Sequence, residues 1–151
     1  MASKNTTRRQ VETDPWGLTE AIATTNARLE RAITAAHQAD IELAEAATRL
    51  IALQARDRFP TAWTVVLEWS DQGDHLSVAG LAGVSGELLT VDEEAWNAFL
   101  DDGADNCAAN LAGHTEYIWL PYMRPLDRAR NSIDPYHLDI LKTARITEAT
   151  R

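Results

Sequence analysis

A chain of 151 residues, 45% hydrophobic and 25% charged, suits one globular domain with an appendage and excludes a wholly disordered protein. Its formal net charge of −9 disfavours direct binding to nucleic acid or anionic membranes and favours a basic protein surface. The single cysteine, Cys107, excludes an intrachain disulfide, and no apolar run is long enough to span a membrane.

Residues 1–13 read as a flexible, polar tail. MASKNTTRRQVETDP has no apolar stretch of the kind that marks a secretory leader. The expected location is therefore cytoplasmic and reducing. Lysine occurs only at Lys4 and Lys142 while alanine and arginine abound, a bias that suits a bacterial or phage-infected cell.

Residues 14–59 read as one long Ala-rich helix. Asp14-Pro15 supplies an N-cap and a first-turn proline, and Gly17 makes a start at Leu18 an equal alternative. Alternate steps of four and three from Leu18 give Ile22, Thr25, Leu29, Ala32, Ala36, Ala39, Leu43, Ala46, Leu50 and Leu53. Only Thr25 in this seam is polar. The period is 3.5 residues, as in helices that pack along one another. No Gly or Pro interrupts residues 18–59, and Phe59-Pro60 ends the helix. One set of seam positions is mostly large (Ile22, Leu29, Leu43, Leu50). The other is mostly small (Ala32, Ala39, Ala46), which permits close approach of a second backbone. The flanking Asn26, Arg28, Ile33, Ala35, Asp40, Glu42, Ala47 and Arg49 show no regular pattern of opposite charge. A helix of about 60 Å, at 1.5 Å per residue, is too long to bury its whole seam on a small body. The plainer reading is a single helix lying across its own body, with part of it projecting or bent back as a hairpin; the alternatives are self-association and a partner helix along the seam.

Residues 60–151 read as an acidic α+β domain. Trp63, Val65, Leu67 and Trp69 alternate as the apolar face of a strand. Ser70–Asp74 is a turn with Gly73 free to take positive φ, and His75–Leu81 is the return strand. Glu87–Val91 reads as a third strand, completing a β-meander. Thr90 and Glu93 have capping-box spacing before a helix with Trp96, Phe99, Leu100, Cys107 and Leu111, broken near Gly103. Glu116–Leu120 reads as a fourth strand. Asp134-Pro135 opens a closing helix from Tyr136 to about Glu148. The expected class is α+β, a long N-terminal amphipathic helix before a small antiparallel sheet with two or three further helices.

No Lys or Arg lies between Arg58 and Arg124. The same stretch holds Glu68, Asp71, Asp74, Glu87, Asp92, Glu93, Glu94, Asp101, Asp102, Asp105 and Glu116. Such a block steers cationic surfaces toward it. It reads as a face for a basic partner, in its sharpest form a nucleic-acid mimic that blocks a nucleic-acid-binding protein. The plainer reading is a solvated acidic surface.

Residues for catalysis are sparse. His114 and Glu116 would share a face on a strand, with His75 as a third metal ligand. HExxH, a cysteine pair and a dense histidine cluster are all missing, so neither a metal nor another cofactor is expected. Cys107, at helical spacing with apolar residues, reads as a core thiol. GxSxG, Walker A and GxGxxG are also missing. Arg124, Arg128 and Arg130 form a basic cluster suited to pairing with the acidic block or, as the alternative, to binding phosphate. The reading is a non-enzymatic protein-interaction module with no catalytic residues. It self-associates or binds a partner helix through the seam and binds a basic protein through its body, as a phage-encoded inhibitor would. A phage particle assembly or accessory protein is one alternative, and a small metal-dependent hydrolase using His75, His114, Glu116 and nearby aspartates is another.

Overall fold

The computed structural model describes residues 14–125 and 134–149. The expected tail, Arg128 and Arg130 lie outside them. The chain divides into two units, Met1–Ala39 and Asp40–Arg151. Helix α1, Leu18–Arg58, belongs to both.

In the first unit the helix entry is set by Asp14. Its carboxylate accepts from the backbone N–H groups of Leu18 at 2.6 Å and Thr19 at 3.0 Å. The Pro15-Trp16-Gly17 turn closes with Gly17 at φ 63°, and helix begins at Leu18 rather than at Pro15. From Pro15 to Ala39 every residue is exposed except the half-buried Ala27.

In the second unit α1 buries a stripe made of Ala44, Ala47, Thr48, Ile51, Ala52 and Ala55. This i, i+3, i+4, i+7 pattern is a helix face against a core. Thr48 is tolerated there because its hydroxyl donates to the Ala44 carbonyl at 2.6 Å. Phe59 is the last buried residue before Pro60 and meets the Phe99 ring edge-on at 5.4 Å between centroids. Arg56 and Arg58 complement the negative end of the helix dipole.

The fold is α+β with a three-stranded antiparallel sheet, in the order β2–β1–β3. β1 is Thr64–Trp69, β2 is Leu76–Ala82 and β3 is Tyr136–Asp139. β1 lies in the centre, paired on both sides, and Thr64, Val65, Val66 and Leu67 are all buried. That corrects a one-sided strand, and Trp63, expected on the apolar face, is 42% exposed. The β1–β2 turn carries Gly73 at φ 71°, as its position predicts.

Glu87–Val91 is not a strand, since only Leu88 bridges Ala82 and Leu89 N–H reaches the Leu81 carbonyl. These contacts still cover the β2 edge, as Met123 covers β3 by bridging Leu138. Helix α2, Glu93–Phe99, is capped by Asp92, whose carboxylate accepts from Ala95 N–H at 3.1 Å. Thr90 is therefore not the cap. A π-turn, Leu100–Ala104, breaks the helix at Gly103 (φ 120°), and α3, Asp105–Ala109, follows.

Glu116–Leu120 is helical as well. α4, Glu116–Trp119, buries the adjacent Ile118 and Trp119, which a strand would send to opposite faces. The missing strand lies at Tyr136–Asp139, with Tyr136 and Leu138 buried in alternation. Helix α5 starts only at Ile140 and runs to Ala149. Trp119 anchors this end of the core. Its indole N–H donates to the Ala112 carbonyl at 3.1 Å, and its ring meets Trp69 and Tyr136 edge-on.

Ile51 is the only large fully buried side chain of α1, so Ile51→Ala is expected to lower unfolding free energy by about 2–5 kcal/mol. Asp92→Ala removes a helix cap and is expected to cost about 1 kcal/mol. Denaturant melts of the two variants check both magnitudes.

Candidate functional site

All eleven seam positions of α1, from Leu18 to Leu53, are exposed. The large ones stand between 38% and 59% open: Leu18, Ile22, Leu29, Leu43, Leu50 and Leu53. Ala32, Ala36, Ala39 and Ala46 lie between them on the same stripe. The body packs against α1 without using the seam. Within the second unit, Leu43, Ala46, Leu50 and Leu53 lie roughly 150° around the helix from the buried stripe at 100° per residue. Both stripes consist of small and aliphatic residues, and their phases differ.

Ile33, beside the seam, is 59% exposed. Its flanking position hid it from the four-three stepping. Ala44, Ala47, Thr48, Ile51, Ala52 and Ala55 were also hidden, because alanine on either stripe reads alike.

The ten acidic residues from Glu68 to Asp105 expected to form a partner face are all exposed. Several have local tasks. Asp74 accepts from the His75 ring at 2.6 Å, and this bond holds its carboxyl below the ordinary 3.8. Glu87 folds back to accept from Ser85 N–H at 2.9 Å. Asp92 caps α2, and Asp102 pairs with Arg58. Among the described residues no ion pair engages Glu68, Asp71, Glu93, Glu94, Asp101 or Asp105. Asp92, Glu93, Glu94 and Asp101 line one shallow hollow with Asn97 and Ala98, and this is where the acidic charge gathers.

His75 and His114 take separate carboxylates. His75 bonds Asp74, while His114 Nε2 lies 3.7 Å from Asp40. Glu116 begins a helix after the Gly113–Thr115 turn, so the shared strand face with His114 does not exist. Among the described residues no three His, Cys, Asp or Glu side chains gather as a metal site. Arg124 donates to the Val84 carbonyl at 3.1 Å.

Cys107 is half-buried beside the core on α3, and burial raises its thiol pKa. An apolar hollow of about 300 Å³ has Leu81, Leu89, Val91 and Trp96 in its wall, with Glu93 as its ionisable group. It lacks the converging polar groups of a ligand site. No described helix is long and apolar enough to cross a membrane.

Comparison with protein-family models, curated proteins and solved structures returns no match.

Two outcomes follow from these environments. Cys107 is expected to alkylate more slowly at pH 8 than a free cysteine, because less of it is thiolate, as timed labelling with iodoacetamide measures. Asp74 is expected to titrate below 3.8 in a carbon-detected NMR pH series. Its folded pKa is depressed, so its contribution to stability is present above the unfolded value and is lost as pH falls through the folded one.

Proposed function

We propose that this chain is a non-enzymatic protein-interaction module whose long helix offers an apolar seam to another helix. One observation carries the reading. Every seam position from Leu18 to Leu53 is exposed, although α1 already buries a different stripe on its own body. A continuous apolar stripe of this length has a solvation cost that a covering helix removes. The alternation of large and small residues suits close helix packing better than a flat or disordered partner.

A second face is proposed on the body. Asp92, Glu93, Glu94 and Asp101 surround one hollow, and the last three have no ion-pair partner among the described residues. That concentration of carboxylates supports recognition of a basic protein, with nucleic-acid mimicry as its most specific form. Such binding is expected to weaken steeply with salt.

The seam reading is tested by a photocrosslinking side chain introduced at Leu29 or, as a control, at Arg31, roughly 200° around the helix. A discrete protein adduct from position 29 in the native host, with none from position 31, is the expected result. Equal labelling at both positions, or none at 29, would sink the reading.

A further inference from the structure

The helix that covers the seam is identified by the seam's own side chains. We infer that it is α1 of a second copy of this chain, running antiparallel, with residues 18–50 of each copy overlapping about residue 34. This rests on the seam's being a helix-binding face and names its occupant.

The register follows from helix geometry. In an antiparallel pair each seam residue of the larger set lies level with one of the smaller set on the other chain. When the paired numbers sum to 68, Ile22 meets Ala46, Leu29 meets Ala39 and Leu43 meets Thr25. Ala36 meets Ala32 at the centre, and Leu50 meets Leu18 at each end. Three of these layers set a large residue against a small one, which is what two closely spaced helices need to interdigitate. The central layer is small on both sides. There Ile33 of each copy flanks the axis and faces its own equivalent. That gives the exposed Ile33 a place.

The charges select the same register. Arg28 falls opposite Glu42 of the second copy, and Glu42 opposite its Arg28, so the two-fold axis makes the pair twice. Asn26 falls opposite Asp40. Sliding one chain by a heptad in one direction sets Arg28 against Arg49 and brings Asp57 into the seam. Sliding it the other way shortens the overlap and brings no helical residues of opposite charge together. A parallel pair fares worse. It stacks Thr25 on Thr25 and Ala32, Ala39 and Ala46 on their own copies. Arg28 then meets Ile33, and Glu42 meets Ala47. The flanking charges, irregular along one helix, become complementary when the helix meets itself reversed. Within the second unit the seam lies well around the helix from the buried stripe, so a second helix and the body occupy different faces of α1.

The experiment uses the full chain with Cys107→Ala. One preparation carries Leu29→Cys and another Ala39→Cys. On mild oxidation the mixture is expected to form a disulfide-linked species of twice 16.7 kDa, joining position 29 to position 39. Leu29→Cys alone is expected not to link, because its two copies lie about 15 Å apart along the axis. Sedimentation equilibrium of the unmodified chain is expected to give the dimer mass. Arg28→Glu and Glu42→Arg are each expected to weaken dimerisation roughly tenfold, and a mixture of the two variants to recover it. Linking of Leu29→Cys to itself in preference to the mixture would show a parallel pair and overturn the inference. A chain that stays monomeric up to about 100 μM, with no linking in the mixture, would overturn it too. An adduct from Leu29 to a different protein would then leave the helix-binding reading standing, and the absence of any adduct would remove both.

Discussion

The rest of the molecule depends on the contact between the C-terminal half of α1 and the core. Ala44, Ala47, Thr48, Ile51, Ala52 and Ala55 are 5% exposed or less. Four of these six are alanine, so the backbone lies close to what it packs against and Ile51 supplies most of the side-chain volume. A small-residue face has little tolerance for rotation, because Leu43 or Leu50 would have to enter a space shaped for alanine. The phase of the helix is thereby set. Once it is set, the seam must face away from the core throughout the second unit.

The same core explains where the charge goes. β1 is paired on both sides and buried over four consecutive residues, and Trp69, Trp119 and Tyr136 close one end of the core. Most charged groups of the second unit therefore stand in turns, caps and helix surfaces, with Glu68 on the exposed end of β1 and Asp139 at the end of β3. Asp92, Glu93 and Glu94 stand at the N-terminus of α2, where negative charge is favourable. Asp74 and Glu87 close their own turns, and Asp102 meets Arg58 at the end of α1. Much of what looks like one acidic block along the chain thus divides into separate local tasks. Of the carboxylates left over, Glu93, Glu94 and Asp101 line one hollow, and the proposed basic-partner face is correspondingly narrower than the block.

The legible features were those with a long, uninterrupted physical signal. α1 had its period, its lack of breakers and its stop at Pro60. The β1–β2 hairpin had alternation and Gly73, and the helix break had Gly103. The errors fell on short segments where composition and burial disagree. Tyr117, Ile118 and Trp119 have strand-forming side chains, yet Ile118 and Trp119 reach the core together as neighbours on a helical turn, which composition alone does not reveal. Tyr136, Leu138 and Ile140 carried a two-residue period that Asp134-Pro135, an apparent helix start, concealed. Thr90 offered cap spacing, but Asp92 is nearer the first turn and binds its N–H. Of the candidate surfaces, the seam was readable as a stripe. Which of two alanine-rich stripes the body takes was not readable, since that depends on side chains contributed from distant parts of the chain.

This division of faces also bears on why residues 18–39 are helical. None of them is buried, so tertiary packing contributes almost nothing there. Three local terms remain. Alanine-rich composition favours helix, Asp14 satisfies the N–H groups of Leu18 and Thr19, and the ordered half that follows removes the cost of nucleation. These terms are small, a fraction of a kcal/mol per residue, and they leave Ile22, Leu29 and Ile33 in water. Covering the seam adds the missing packing term to the part of the helix that lacks one. On the proposed assembly, contact along the seam and helical order in residues 18–39 would reinforce each other.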